Sequence, residues 1–487
     1  PLVDNRFVLT GTPDQTIATP QTLVIDAGKR FVMSNTAYAT ATGPTVVQAA
    51  SAYGETIGAI SGGNRQAFGN YNFIDLGLGT TLTINQTQDG TFAGEFMGLG
   101  VIRLIGNSTL NLNGLHRNHG NFIIDSGTLQ VTSSNNQAGG RIFNTPAGGN
   151  FPTVTVNRHG GFFLSRSLNT DTDGVGDTTD LFLNSAAGTR TNLVIGSNFA
   201  DTLPLGFFVW NTSSNTARSE NINNLYFDSG TSYLTMLVSG NTRQILGATG
   251  LIRRNLATGN VRGRNLGNVS SGNVNSSNWF IRNTGAQDDF VNAMIGGAGA
   301  DVALAAGVTT LGGTTVTVTS TAGLQPNMRV TGTGIPAGAY VASVTNGTTF
   351  ELSVGATEAN TGLSLDAYAL NKSITPWLVA QSFINSVGPV SETDMGNSLT
   401  TYVSGLGLRA LSLTNDYATF ASILQSSENV REALTGDLTV GANASVNALV
   451  LHNGTAADTS GAFVVTGAPG TSLTNASGTF LFTLNSA

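Results

Sequence analysis

The sequence predicts an all-β protein, and within that class a right-handed parallel β-helix or β-solenoid. Apolar and polar residues alternate in short runs, as they do in pleated strands that bury one face. Glycine and asparagine separate these runs at near-regular intervals. The chain has 62 glycines but only 12 prolines in 487 residues, a composition typical of many tight corners between short strands.

The clearest example is residues 91–131, where the runs VIRLIG, STLNLNG, NFIID and GTLQV place an apolar residue at about every second position. This spacing puts Arg103, Asn111 and Asp125 on the face opposite the apolar side chains. A strand this short cannot bury its apolar face alone, so we expect successive coils to stack and share backbone hydrogen bonds. The glycines expected to form the corners, by adopting positive φ, are Gly106, Gly114, Gly120 and Gly127.

The same stretch resembles the autotransporter-associated β-strand repeat of bacterial surface proteins. That repeat has three motifs in order: F-x-G-x-hydrophobic-x-G-x-G-hydrophobic, G-x-x-T-L-x-L-x-G and G-T-L-x-V. Of the spacer that usually precedes the third motif, only Gly120 is present. The resemblance implies a stacked β architecture and exposure outside the cell, but no activity. The matching residues are Phe92, Gly94, Gly98, Gly100, Val101, Gly106, Thr109, Leu110, Leu112, Gly114, Gly127, Thr128, Leu129 and Val131.

Composition argues against several classes of partner. The net charge of -7 argues against nucleic acid, since phosphate binding needs a basic surface. No run of about 18 apolar residues is present, so we expect no membrane-spanning helix. The absence of cysteine excludes disulfides and thiolate metal sites. Because the chain begins at Pro1 without a leader, it is interpreted as either a processed product or a fragment.

We assign residues 1–307 to the solenoid. The interval 37–65 is richer in alanine, and both a short helix and a loop that protects the open end of the stack are consistent with it. Segments 220–230 and 251–267 also resemble coils of the surface family. Strands are expected at residues 7–9, 22–26, 81–85, 153–157, 161–164, 220–228 and 233–238.

Residues 169–180 offer a possible calcium site. Asp171, Asp173 and Asp177 are spaced around glycines and would supply the hard oxygen ligands that Ca²⁺ prefers. The bidentate acid expected about twelve positions into an EF-hand loop is missing, however. Residues 176–184 also resemble the G-D-T-T-x-L-x-L-N strand entry of the surface family, and we favour a solvated corner.

Four arginines, Arg253, Arg254, Arg262 and Arg264, lie within twelve residues of one another. They have two interpretations. Guanidinium groups bind carboxylates in bidentate geometry, so the cluster suits an acidic glycan. The alternative, which we favour in an acidic chain, is pairing with Asp and Glu residues on neighbouring coils.

The character of the sequence changes near Val308. Runs rich in threonine and valine at 314–319, 328–332, 339–344 and 348–353 predict the strands of a compact unit. Residues 308–366 resemble a small β module of secreted and phage-tail-associated proteins, through T-A-G-L-x-x-x-M-x-V-T-G-x-G-I-P-A-G and G-T-T-F-x-L-S. Because the solenoid pattern resumes on both sides, we predict a β-sandwich or barrel-like module inserted into a loop.

Residues 367–487 are assigned to the continuation and end of the solenoid. Short helices are favoured between 391 and 431. The apolar run at 478–484 predicts a strand that either completes the last coil or pairs with another subunit. Segments that resemble coils of the surface family are 374–379, 407–411, 428–431 and 446–451.

No set of residues in the sequence argues for catalysis, and we assign no catalytic, cofactor or metal site. His116 and His119 have H-x-x-H spacing, but no nearby acid completes a ligand set, and we interpret them as corner residues. The other histidines are His159 and His452. The adjacent pair Asp288 and Asp289 is the first place to look for glycosidase carboxylates, although a turn cap explains it equally.

We therefore expect a non-enzymatic, extracellular structural protein that self-associates head to tail into a filament or surface layer. The alternative is an adhesin that presents the module or the arginines to a host or matrix glycan. A β-helical polysaccharide lyase or hydrolase is a third candidate, because many such enzymes use this fold.

Overall fold

A computed structural model describes most of the chain. Every regular element in the described residues is a strand, and no helix occurs among them, so the predicted all-β class is confirmed. The described residues are 6–9, 15–16, 23–25, 30–33, 48–62, 73–76, 78–113, 117–118, 120–133, 152–166, 191–196, 208–212, 218–238, 243–267, 276–281, 301–370, 372–383, 398–403, 406–413, 416–419, 428–434, 437–453 and 464–483.

The strands of residues 6–281 are short near the start of the chain and longer toward its middle. They are β1 (Arg6–Leu9), β2 (Gln15–Thr16), β3 (Leu23–Ile25), β4 (Arg30–Met33), β5 (Gln48–Ile57), β6 (Ile60–Gly62), β7 (Phe73–Leu76), β8 (Leu78–Gln86), β9 (Gly90–Phe92), β10 (Glu95–Gly98), β11 (Val101–Gly106), β12 (Thr109–Leu112), β13 (Arg117–Asn118), β14 (Phe122–Ser133), β15 (Thr153–Arg166), β16 (Asn192–Ile195), β17 (Phe208–Thr212), β18 (Arg218–Phe227), β19 (Thr231–Val238), β20 (Arg243–Arg253), β21 (Thr258–Arg264) and β22 (Ser276–Ile281).

Strands that lie one sequence repeat apart pair in parallel, with apolar residues stacked on apolar residues, and we call each such repeat of strands a coil. Leu82 in β8 pairs with Ile102 in β11, and Ile102 pairs with Phe122 in β14, a difference of 20 in residue number each time. A second ladder joins β9, β12 and the later part of β14. A third joins β1, β4, β7, β10 and β13.

The inner face of these ladders is a continuous apolar core. Leu82, Ile102 and Phe122 are each at most 1% exposed, whereas the alternate residues Thr83 and Arg103 reach solvent. Burying a side chain of this size stabilises the fold by about 1.5–3 kcal/mol relative to leaving it exposed. A slip of one residue would turn the whole apolar set outward, so the pattern fixes the register.

Later coils are longer but keep the same pairing. Phe122 pairs with Val154 and Val154 with Leu193, differences of 32 and 39 in residue number. Leu193 then pairs with Leu225, and Leu225 with Leu251, differences of 32 and 26. The parallel register is therefore kept although the number of residues between paired positions varies.

Two predicted corners are not strand ends. The runs at 122–125 and 127–131 form the single strand β14, and those at 153–157 and 161–164 form β15. The corner remains as a local irregularity, with a register shift between Ile124 and Ser126 and a φ of +74° at Gly127. Pairing with the adjacent coil continues across the bend, so the strand does not end there.

The interval 37–65 is also corrected in part. Its described residues, 48–62, contain the strands β5 and β6, in place of a helix or a protective loop. Both strands pair in parallel with strands of other coils, because the hydrogen bonds supplied by the neighbouring coil override the weak strand preference of alanine and glycine. Residues 37–47 and 63–65 lie outside the described residues.

The later strands include both antiparallel and parallel sheets. They are β23 (Val302–Thr309), β24 (Thr315–Thr317), β25 (Arg329–Thr331), β26 (Val341–Asn346), β27 (Thr349–Leu352), β28 (Asn360–Tyr368), β29 (Leu378–Phe383), β30 (Ser398–Val403), β31 (Gly407–Ala410), β32 (Asn429–Leu434), β33 (Leu438–Val440), β34 (Ala444–Asn453), β35 (Val465–Gly467) and β36 (Leu473–Thr483).

A six-stranded antiparallel sheet occupies residues 302–368, in the order β25-β28-β23-β24-β27-β26. Its core includes Val316, Val330 and Phe350, all fully buried. The predicted module limits, 308 and 366, stay a prediction, and so does its insertion between the segments 1–307 and 367–487.

The strands that follow differ from a regular solenoid. The strands β29, β30 and β31 pair antiparallel, and β30 and β31 stand where short helices were favoured. The run S-L-T-T-Y-V is rich in residues that favour strands and is buried on both faces. Residues 391–397 and 420–427 of that predicted interval lie outside the described residues.

Parallel pairing resumes at the end of the chain. The strands β32, β34 and β36 form one parallel sheet, and β33 pairs in parallel with β35. Leu449 and Leu451 of β34 are buried with Val430 in one cluster, while Ala448 and Val450 are buried on the opposite face in a second cluster.

The chain divides into two compact units. The first comprises residues 1–260, 281–285 and 385–392, and contains the long parallel ladders. The second comprises residues 261–280, 286–384 and 393–487, and contains the antiparallel sheet and the C-terminal parallel sheets.

Candidate functional site

A buried ion pair lies in the second unit beside the β30–β31 hairpin. Arg409 Nη1 donates to Asp416 Oδ2 at 2.6 Å, and the two side chains are only 6% and 0% exposed. The Ser412 backbone N–H donates to the same oxygen at 2.7 Å. Asp416 Oδ1 is buried and has no hydrogen-bond partner among the described residues. The close packing of β31 fixes Arg409, since a Cβ at Gly407 would overlap the Trp279 carbonyl oxygen.

A hydroxyl network lies next to this pair. The Ser398 hydroxyl donates to the Leu411 carbonyl oxygen at 2.7 Å, and the Leu399 N–H donates to the Tyr417 oxygen at 2.8 Å. Tyr417 therefore donates its own proton to Ser398 Oγ, 2.8 Å away. Burial disfavours the phenolate and raises the pKa of Tyr417 to about 12. Burial also lowers the pKa of Arg431.

A cavity of about 340 Å³ opens above these residues. Backbone and side chains of both the antiparallel sheet and the hairpin line it, including Gln325, Pro326, Leu370, Ser382, Ser398 and Arg409. Ser398 already donates to Leu411, and Ser382 Oγ accepts from the Leu266 N–H at 3.0 Å. These two hydroxyls thus hold strands together, and among the described residues that line the cavity none is a histidine that could act as a base.

The arginine cluster is largely occupied by contacts of its own. Arg253 Nε donates to the Ala257 carbonyl oxygen at 2.7 Å. The Arg254 guanidinium lies 3.9 Å from the centre of the Tyr226 ring and 3.7 Å from Asp228 of the adjacent coil, the kind of pairing that the second interpretation predicts. Arg262 is 2% exposed, so it offers no surface to a glycan.

These arginines border an exposed turn. Asn255 and Leu256 have φ values of +44° and +56°, a left-handed conformation that costs a leucine about 1–2 kcal/mol. Leu256 is nevertheless 84% exposed. Arg253 holds the turn by donating to the Leu256 carbonyl oxygen as well as to that of Ala257.

A second exposed apolar surface lies on the last strand. Phe480 and Phe482 of β36 are 51% and 71% exposed, and Val465 of β35 is 43% exposed. We call these three residues the terminal apolar face. Within the described residues, β36 is the outer strand of its sheet and pairs only with β34.

Several candidate residues lie outside the described residues. These are Asp171, Asp173 and Asp177 of the possible calcium loop, Asp288 and Asp289, and the histidines His116 and His119. Of the other histidines, His159 on β15 is exposed and His452 on β34 is half-buried. In the part of the chain that the structure describes, no three His, Cys, Asp or Glu residues group closely enough to hold a metal ion.

The sequence analysis missed the Arg409–Asp416 pair and the Tyr417 network. Arg409 was noted only within a segment that resembles a surface-family coil. A signal was nevertheless present, because Arg409 interrupts the apolar run 406–411 and a charge inside a buried strand needs a partner. Which acid would pair with it could not be read from spacing.

Comparisons with protein-family models, with curated proteins and with solved structures give no match. No helix in the described residues has the length and apolarity needed to cross a membrane.

Proposed function

We propose that the chain is a structural subunit that self-associates outside the cell into a filament or surface layer, and that its parallel ladders form a right-handed β-solenoid. The observation that carries the proposal is the parallel register of residues 73–131, where each coil presents the strand edges on which the next one pairs. Edges of this kind accept further strands unless something blocks them.

The buried polar groups support a structural role. Arg409 and Asp416 neutralise each other inside the second unit. Tyr417, with a pKa of about 12, exchanges no proton near neutral pH, whereas an acid–base catalyst needs a pKa near its working pH.

The exterior location rests on the resemblance to bacterial surface repeats. Composition is compatible with it, since a chain with no cysteine folds without regard to the redox state of its compartment. The apolar ladders supply the stability that disulfides provide in smaller secreted domains.

One observation favours the adhesin as a second candidate. The 253–257 turn holds Leu256 in a strained conformation and in solvent, and backbone strain persists where the surroundings fix it, often at binding sites. The two arginines beside it would orient an anionic sugar, although both already make contacts of their own.

Electron microscopy of the purified chain over a wide concentration range tests the first proposal. We expect single particles at low concentration and filaments or sheets at high concentration, because a head-to-tail contact propagates unless its rotation closes a ring. Monomers at every concentration would contradict it.

A glycan array tests the second candidate. The wild type is compared with Leu256→Gly, which relaxes the left-handed backbone while removing the exposed side chain. Saturable binding by the wild type that the variant loses would favour the adhesin.

A further inference from the structure

The hydrophobic core between the C-terminal parallel sheets, β32-β34-β36 and β33-β35, continues to β36, where apolar side chains are exposed. Phe480 pairs in register with Leu449, and Phe482 with Leu451. Both leucines are buried in the core of this stack. The two phenylalanines therefore continue the core face by one strand, where they are 51% and 71% exposed.

The neighbouring ladder ends in the same way. Val465 in β35 pairs with Leu438 in β33, and Leu438 packs against the same core. Val465 is 43% exposed. The terminal apolar face is thus the uncovered cross-section of a hydrophobic core, rather than a set of unrelated surface residues.

The edge of β36 carries no side chain of the kind that usually prevents strand addition. Its sequence, LTNASGTFLFT, contains neither a charged residue nor a proline, and these are the residues that blunt exposed edges. Its pairing with β34 is irregular between Asn475 and Thr479 but regular from Thr479 to Thr483, the segment that contains both phenylalanines. One edge of the antiparallel sheet differs, because Arg329 on β25 stacks 4.6 Å over the Tyr368 ring.

The chain has a matching edge at its first strand. Within the described residues, β1 is the outer strand of its ladder and pairs in parallel with β4 alone. Through β4, Phe7 shares a register position with Ile74, and Leu9 shares one with Leu76. Ile74 and Leu76 are both fully buried, so the register aligns Phe7 and Leu9 with positions that are buried in β7.

We propose that β36 receives β1 of a second copy of the chain as a parallel strand, with Phe480 opposite Phe7 and Phe482 opposite Leu9. This inference rests on the self-association proposed above and names its contact. Parallel addition keeps both the chain direction and the apolar-on-apolar stacking that the ladders show throughout. It joins two different edges, so the contact is head to tail and propagates.

The first test measures assembly of the full chain by sedimentation velocity. In the variant Phe480→Lys/Phe482→Lys, two charges occupy the core cross-section, and we expect the concentration needed for assembly to rise about tenfold or more. The control is Thr361→Lys/Ser364→Lys, which adds the same charge at exposed positions of β28, an interior strand of the antiparallel sheet, and should assemble like the wild type. Circular dichroism confirms that both variants are folded.

The second test uses a labelled peptide with the sequence of residues 4–11, DNRFVLTG. Fluorescence anisotropy should show saturable binding to the wild-type chain and to the Thr361→Lys/Ser364→Lys control. Binding should be lost with Phe480→Lys/Phe482→Lys and with a peptide in which Phe7 is replaced by lysine. Excess peptide should also stop assembly, because it occupies the edge of β36.

The outcomes separate this inference from the proposed function. If the Phe480→Lys/Phe482→Lys variant assembles as well as the wild type, the proposed β36 contact is wrong but self-association is still supported. A wild type that stays monomeric but binds the peptide would overturn self-assembly and support β36 as a strand acceptor. Assembly that stops at a dimer would indicate antiparallel pairing of two β36 edges, and it would overturn the head-to-tail contact.

Discussion

Two regions, the parallel ladders of the first unit and the antiparallel sheet of residues 302–368, provide examples of two different reasons for a glycine. In the ladders, a Cβ at Gly120 or Gly160 would overlap the backbone oxygen of Gly100 or Ile124 in the coil beneath. In the antiparallel sheet, Gly338 has a φ of +79° with nothing within 4 Å of a Cβ. At Gly120 and Gly160 the stacking demands space, whereas at Gly338 the turn demands backbone freedom.

Charged residues differ in a similar way between the two units. On the ladders, Arg103 pairs with Asp125 at the surface, because alternation sends polar residues outward. In the second unit, β30 is buried on both faces, and Arg409 on the adjacent strand is paired with Asp416 inside the protein. A strand with a solvent face tolerates charge cheaply, and a strand without one requires a partner for each charge.

The largest expected effect comes from Asp416→Asn. The substitution leaves Arg409 buried without its counter-charge, and we expect a loss of about 3–5 kcal/mol in the free energy of unfolding. Scanning calorimetry measures it. The control is Asp228→Asn in the exposed pair with Arg254, where the loss should be about 0–1 kcal/mol. Equal losses of unfolding free energy in the two variants would contradict the claim that charge pairs matter more in the second unit than on the ladders.

Gly120→Ala should cause the next largest loss in the free energy of unfolding. The added methyl group overlaps the adjacent coil, and we expect a loss of about 1–3 kcal/mol or more. The matched control is Gly347→Ala, whose Cβ meets nothing within 4 Å and which should change stability by less than about 1 kcal/mol. Denaturant unfolding compares the two variants. An unchanged free energy of unfolding for Gly120→Ala would contradict the close approach of the Gly100 carbonyl oxygen.

Tyr417→Phe should alter stability in a pH-dependent way. The unfolded tyrosine loses its proton near pH 10, whereas the folded pKa is about 12, so wild-type stability should fall as pH rises between these values. The variant should show a shallower fall, and at neutral pH a constant loss of about 1–3 kcal/mol, because the Leu399 N–H loses its acceptor. Tyr417 and Arg431 influence each other's pKa, so the difference between the two unfolding curves reports Tyr417 together with its effect on Arg431.

Gly338→Ala should have the smallest effect of the four. Space is available, and only the left-handed backbone opposes the methyl group, so we expect a loss of about 1 kcal/mol. Gly338→Asn should recover part of it, because asparagine tolerates this conformation. Thermal unfolding measures the stability of both variants. If Gly338→Ala loses as much stability as Gly120→Ala, close packing and positive φ are not distinct reasons for the two glycines.

Local pattern predicted much of the strand content. The alternation in residues 101–112 and 122–131 placed the apolar residues of β11, β12 and β14 on the buried face and Arg103 on the other, because a period of two has only one structural meaning in a strand. The same rules placed a corner at Gly127. They did not show that β14 would pair through that corner, since pairing depends on the coil beneath.

The role of Gly120 illustrates the same limit. The sequence predicts a positive φ there, but Gly120 is not among the described residues that adopt one. Its small size is instead required by the close approach of Gly100. A glycine required by positive φ and a glycine required by close packing cannot be distinguished from the sequence.

The sequence by itself determined the all-β class, most of the strand positions and the apolar character of the final strand, because each depends on neighbours within a few residues. The tertiary structure decided the remainder. Only the stacking of coils shows that Phe480 and Phe482 belong to a core face, and only the packing of β30 and β31 pairs Arg409 with Asp416. These contacts join residues whose separation along the chain carries no periodic signal, so the three-dimensional arrangement alone reveals them.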